Sequence, residues 1–157
     1  TATLAIPFAT PRSYAVRATD APGNVGAWAV AAPVAVAAVG ESSSAVRRSA
    51  GWVGRASSFA LGGRDISTTK AGACLRHTFT GRGIALVGAT GLLRGRAEVW
   101  LDGVRVATIA ARSTVSAGLL LIYSALASPA VPHTIEVRVL GTPGRPRVDV
   151  DGFLVLR

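Results

Sequence analysis

Methionine is missing from this sequence, even at position 1, which predicts that the chain is a piece of a longer polypeptide whose signal peptide, if any, was lost with its N-terminus. Cys74 is the only cysteine, so an intrachain disulfide is excluded. It sits in the strand-like AGACLRHTFTG, and a nucleophilic thiolate would need a neighbouring base that this stretch does not supply. Long apolar runs are also lacking. The two longest, residues 28–40 and 118–131, are interrupted by Pro33 and Pro129, and both fall short of the roughly 20 residues a membrane-spanning helix needs.

Lysine is almost absent: Lys70 stands alone beside arginines that make up the rest of the 17 basic residues. Against 8 acidic residues this leaves a formal net charge of +9. Arg12, Arg17, Asp20 and Glu41 cancel, so the whole excess lies after residue 45. With so much Ala, Val and Gly, the preference for Arg over Lys reads as the signature of a high-GC genome. The arginines are scattered, with no basic run or helical face that would track phosphates, and nucleic acid is not an expected partner. A weak attraction to acidic polysaccharide or cell wall is compatible with the charge.

Catalytic signatures are lacking as well. There is no G-x-S-x-G, no H-E-x-x-H and no G-x-x-x-x-G-K, and His77 and His133 have no metal-ligand spacing. Glycosidase chemistry needs two carboxylates across a cleft. Of the candidates, Asp102 belongs to a turn, Asp149 and Asp151 alternate with Val148 and Val150, and Glu98 lies on the wet side of a strand. His133 reads as a hydrogen-bonding residue at a strand start. The chain is expected not to be an enzyme.

What is present is β structure. In AEVWLDGVRVATI (97–109) Ala97, Val99 and Leu101 alternate with Glu98 and Trp100, Asp102-Gly103 supplies a tight turn, and Val104, Val106 and Thr108 return. In HTIEVRVLG (133–141) Ile135, Val137 and Val139 oppose Glu136 and Arg138. Leu75, His77 and Phe79 share one face of their strand, Cys74, Arg76 and Thr78 the other. Further strands are expected near 44–48, 58–61, 84–88, 119–124 and 147–156. The pattern predicts an all-β antiparallel sandwich of jelly-roll type.

Ahead of it, SYAVRATDAPGNVGAW (13–28) reads as strand, Pro22-Gly23-Asn24 turn and strand. It resembles the closing segment of bacterial fibronectin type III and immunoglobulin-like repeats, with Tyr14 in place of the corner tyrosine. Residues 1–36 are therefore expected to be the truncated end of such a repeat, with Leu4, Ile6 and Phe8 forming an inward face, and 37–43 a linker to a module over 44–157.

In that module GW at 51–52, GG at 62–63, FTGRGIALVG at 79–88, GRAEVWLDG at 95–103, HTIEVRVLG at 133–141 and VDVDGF at 148–153 occur in the order found in the galactose-binding-like jelly-roll modules of actinobacterial secreted proteins, which they resemble. The chain departs from that family at Ile84 to Val87, often aromatic there, and at Gly152, usually Ala. The resemblance implies an accessory module of a secreted or surface protein that binds polysaccharide or cell-wall glycan beside covalently attached domains. No cofactor is expected; the resemblance leaves room for a structural calcium ion, but no D-x-D-x-D loop occurs and no residue is assigned to one.

A sugar ring stacks its apolar face on an aromatic side chain and needs polar partners for its hydroxyls. Trp100, opposite the Ala97-Val99-Leu101 face, is the first expected contact, supported by Trp52 or Tyr123. For Trp52 and Phe59 packing within the sandwich is the preferred reading. The alternative function is a structural spacer or protein-interaction domain without sugar binding.

Overall fold

The structure, a computed structural model, describes residues 9–128 and 131–157. Leu4, Ile6 and Phe8 thus lie outside the described residues.

The first described elements are β1 (Ala15–Val16) and β2 (Ala29–Val30), an antiparallel pair exposed along its length. The turn between them forms as its residues dictate. The Asn24 backbone N–H donates to Asp20 Oδ1 at 2.7 Å, its side-chain amide donates to Oδ2, and Gly23 takes φ +94°. Arg17 lies 4.7 Å over the exposed Trp28 ring. The Tyr14 hydroxyl is buried but has no hydrogen-bond partner, so the bond that defines a tyrosine corner is not made among the described residues.

Next come β3 (Val36–Gly40), β4 (Val46–Arg48), β5 (Val53–Ala56), β6 (Arg64–Thr68), β7 (Cys74–Phe79), β8 (Gly83–Thr90), β9 (Arg96–Leu101), β10 (Val104–Ala110), β11 (Ala117–Leu126), β12 (His133–Val139) and β13 (Val148–Leu156). They form two sheets, ordered β10-β9-β12-β7-β4 and β11-β8-β13-β6-β5, with β3 also pairing β13. Every pairing is antiparallel. This is the expected sandwich, sheet on sheet.

Alternation chooses the inner faces. Leu75, His77 and Phe79 of β7, Ala97 and Val99 of β9, and Ile135, Val137 and Val139 of β12 meet Leu86, Val150, Phe153 and Val155 of the other sheet. Each fully buried side chain of this size contributes about 1.5–3 kcal/mol relative to exposure. His77 is accommodated inside because it stacks on Phe153 at 5.3 Å and its Nδ1 pairs with the Ala45 carbonyl at 3.1 Å.

Two expectations need correction. Residues 37–43 are not simply a linker: Val36–Gly40 is a strand registered against Gly152–Leu156, and Glu41 is buried. The Ala/Val run is apolar because it joins a sheet. Residues 58–61 are a loop leading into a single helical turn at Leu61–Gly63, and the strands lie on either side as β5 and β6. The apolar Phe59 and Leu61 suggested the wrong segment, whereas Gly62 and Gly63 both take positive φ and end it in a turn.

Candidate functional site

Trp100 stands, as its strand alternation requires, on the outer face of the five-stranded sheet. It is half-buried, because the Arg138 guanidinium lies 4.1 Å over its ring. Its Nε1–H donates to Glu98 Oε2 at 3.1 Å, and Arg105 donates to Glu98 Oε1 at 2.9 Å. These two donors, Arg105 first, hold the Glu98 carboxyl below its ordinary pKa. On the next strand Arg76 and Arg138 both pair with Glu136. Burial pushes the Glu136 carboxyl up, but the two guanidiniums, Arg138 first, outweigh it and the net shift is downward. One face of the Trp100 ring is therefore already occupied by an arginine.

Trp52 and Tyr123 do not join Trp100. Trp52 packs on the core and donates its Nε1–H to the Cys74 carbonyl at 3.0 Å. Tyr123, on β11 of the opposite sheet, also packs on the core, and burial pushes its hydroxyl up in pKa. The three expected contact residues thus occupy separate parts of the molecule.

Within the two-sheet sandwich the most exposed aromatic side chain among the described residues is Phe59, 71% accessible, at a cleft of about 400 Å³. Ser57, Asp65, Thr90, Arg94 and Ser116 supply polar groups around it, and Gly118 and Leu119 supply apolar wall. The loop that carries Phe59 rests directly on Gly118, where a Cβ would stand 2.8 Å from the Phe59 carbonyl oxygen and 2.9 Å from its Cβ. A side chain at 118 cannot coexist with this loop position. Arg94 is held toward the cleft by Asp149, with which it pairs at 2.6 Å, while Arg147 donates to the same carboxylate at 2.9 Å.

The floor of the cleft is set by a β-bulge. Val150 opposes Gly88 and Gly152 opposes Val87, which leaves Asp151 as the extra residue. The bulge turns its carboxylate toward the loop, where both oxygens accept the Leu61 backbone N–H at 2.9 and 2.8 Å. Asp151 is 98% buried, given its 2% exposure. Its pKa is pushed up to about 6, chiefly by burial, opposed by the Leu61 bond and reinforced by Glu41 and Asp65. Asp65 adds a buried Oδ1 without a partner. Among the described residues no group of three or more His, Cys, Asp or Glu side chains is arranged to hold a metal ion.

His133 and Asp102 form a third cluster. Nδ1 lies 2.6 Å from Asp102 Oδ2 and Nε2 lies 3.0 Å from the Ser128 carbonyl. Both partners are acceptors, so the arrangement is satisfied by the imidazolium, and His133 is raised in pKa by the Asp102 bond first. Asp102, at φ +52° in the β9–β10 turn, also accepts the Thr134 N–H at 2.7 Å. The group fastens the β9–β10 turn to the loop that precedes β12.

No family model matches the sequence, and no curated protein matches it. Among solved structures the chain is similar to a two-domain esterase active on acetylated mannans, with 18% identity, a TM-score of 0.58, and 77% of this chain aligned to 36% of that one. It is similar to the CBM36-1 domain of a multidomain xylanase from the hindgut metagenome of Trinervitermes trinervoides, with 15% identity, a TM-score of 0.50, and 76% of this chain aligned to 95% of that domain. It is similar also to the insecticidal crystal protein Cry2Aa, with 14% identity, a TM-score of 0.52 and 77% against 21% coverage. The chain spans little more than a third of the esterase. At these identities the likeness establishes the fold. No helix among the described residues is long and apolar enough to cross a membrane.

Proposed function

We propose that this chain is a non-catalytic carbohydrate-binding module of a secreted or surface protein, and that it seats a sugar ring on Phe59. The exposure of the Phe59 ring beside Asp65, Arg94, Ser57 and Ser116 carries the reading. An apolar platform ringed by carboxylate, guanidinium and hydroxyl groups matches the two kinds of surface a pyranose presents. The similarity to a xylanase's binding domain and to a mannan esterase supports glycan as the ligand and makes xylan and acetylated mannan the first to try. Catalysis is disfavoured because Asp151, the carboxyl with a raised pKa, is buried and spends both oxygens on the Leu61 N–H, out of reach of a glycosidic oxygen.

Affinity electrophoresis through gels containing xylan or acetylated mannan tests the proposal. The parent protein should be retarded, and Phe59→Ala should migrate freely while melting within a few degrees of the parent, since an exposed ring leaves no cavity. Equal retardation of both proteins would remove the ligand from this cleft. Retardation of neither would favour a spacer without sugar binding.

A further inference from the structure

The sheet register assembles a cationic row that no stretch of sequence contains. Across the outer face of the five-stranded sheet, Arg47 of β4 stands opposite Arg76 of β7, Arg76 opposite Glu136 of β12, Glu136 opposite Trp100 of β9, and Trp100 opposite Arg105 of β10. Neighbouring strands lie about 4.8 Å apart, so these side chains form one line at right angles to the strands. Like charges placed directly opposite each other on a sheet are destabilising. Arg47 and Arg76 are such a pair.

The local anions do not balance it. Glu136 is shared between Arg76 and Arg138, and Glu98 is taken by Arg105. Arg47 is exposed and makes no ion pair among the described residues. The Arg76 side chain keeps 55% of its surface open, so its guanidinium can accept a second anionic partner. Of the three arginines at this end of the row, the one carboxylate pairs with two, Arg76 and Arg138, and leaves Arg47 without a partner among the described residues. The missing charge complement is an anion that bridges Arg47 and Arg76, and planar guanidiniums take a carboxylate in bidentate fashion.

We infer that this face is a second binding surface, independent of the Phe59 cleft, for an acidic polysaccharide whose uronate carboxylates meet the Arg47–Arg76 pair. The strand spacing is close to the length of one pyranose residue, so a glycan laid along the row places successive residues over successive strands. Beyond Glu136 the row continues to Trp100, where the Arg138 guanidinium over the ring adds a further cation along the path of the glycan. A nucleic acid is the less suitable polyanion here, since Trp100 is the one aromatic side chain of the row and Arg138 already covers a face of its ring.

Polygalacturonate in a native gel is the probe, with fully methyl-esterified pectin and a single-stranded oligonucleotide as the other arms. The parent should be retarded by polygalacturonate at low salt, released as salt rises, and unaffected by the ester. Arg47→Gln, which breaks no ion pair, should weaken polygalacturonate binding at least about tenfold with its melting temperature unchanged, and Arg47→Gln/Arg76→Gln should abolish it. Phe59→Ala should bind polygalacturonate like the parent, which separates this surface from the cleft. Equal retardation of parent and Arg47→Gln would overturn the assignment, as would equal retardation by the methyl ester or tighter binding of the oligonucleotide.

Discussion

Gly152 and Val39 approach so closely that a Cβ on the glycine would stand 2.4 Å from the Val39 carbonyl oxygen. Gly152 also sits at φ +152°, a conformation that side chains disfavour. It marks the point where β13 leaves β6, its partner up to Val150, and takes up β3 from Gly40 onward. The glycine at this position therefore has a backbone cause. Gly152→Ala should cost about 1–3 kcal/mol in backbone strain alone and weaken the β3 pairing. Urea unfolding measures it; a loss under about 0.5 kcal/mol, the level of an ordinary surface change, would contradict the close approach.

The buried Asp151 gives the molecule a pH dependence of defined sign. Its pKa in the folded state is raised from 3.8 to about 6, so the folded protein holds a proton that the unfolded chain has released. Stability from this group is complete below 3.8 and declines as pH rises through about 6. Asp151→Asn should remove that decline. His133, raised by Asp102, titrates in the parent and the variant alike, so the difference between their stability profiles isolates Asp151. Parallel profiles across this window would mean that Asp151 ionises normally.

Trp100→Ala should lose the Arg138 stack and the Glu98 bond but open no core cavity. The expected cost is about 1 kcal/mol, against about 3–5 kcal/mol for deleting a buried tryptophan. If the proposed sugar platform is Phe59, retention on neutral glycan should persist. Thermal melting checks the first statement and affinity electrophoresis on xylan or acetylated mannan the second; lost retention with an intact fold would return the contact to Trp100.

Much of the fold is written in short-range pattern. Asp102-Gly103 and the alternation on both sides of it mark the β9–β10 hairpin, and the Leu75, His77 and Phe79 face is buried as its period of two requires. The elements around the cleft follow no such pattern. β5 is an edge strand exposed at every residue, and β6 buries Ile66, Ser67 and Thr68 consecutively, so neither alternates. The Asp151 bulge depends on registry with β8, and the arginine row joins residues 47, 76 and 105, which only strand order makes neighbours. Phe59 left one local clue: an aromatic residue between Ser57-Ser58 and Gly62-Gly63 sits among turn formers, not in a strand.

The residue before β3 and the residue after β13 hold each other, Ala35 N–H to the Arg157 carbonyl at 3.0 Å and Arg157 N–H to the Ala35 carbonyl at 2.8 Å. The two backbone segments therefore pass through one pole of the sandwich, side by side. Antiparallel bonds lie perpendicular to their strands, so tension acting between residues 35 and 157 peels the β3–β13 ladder open one rung at a time, where shear would load every rung together. A ladder loaded in this way is poorly suited to carrying tension.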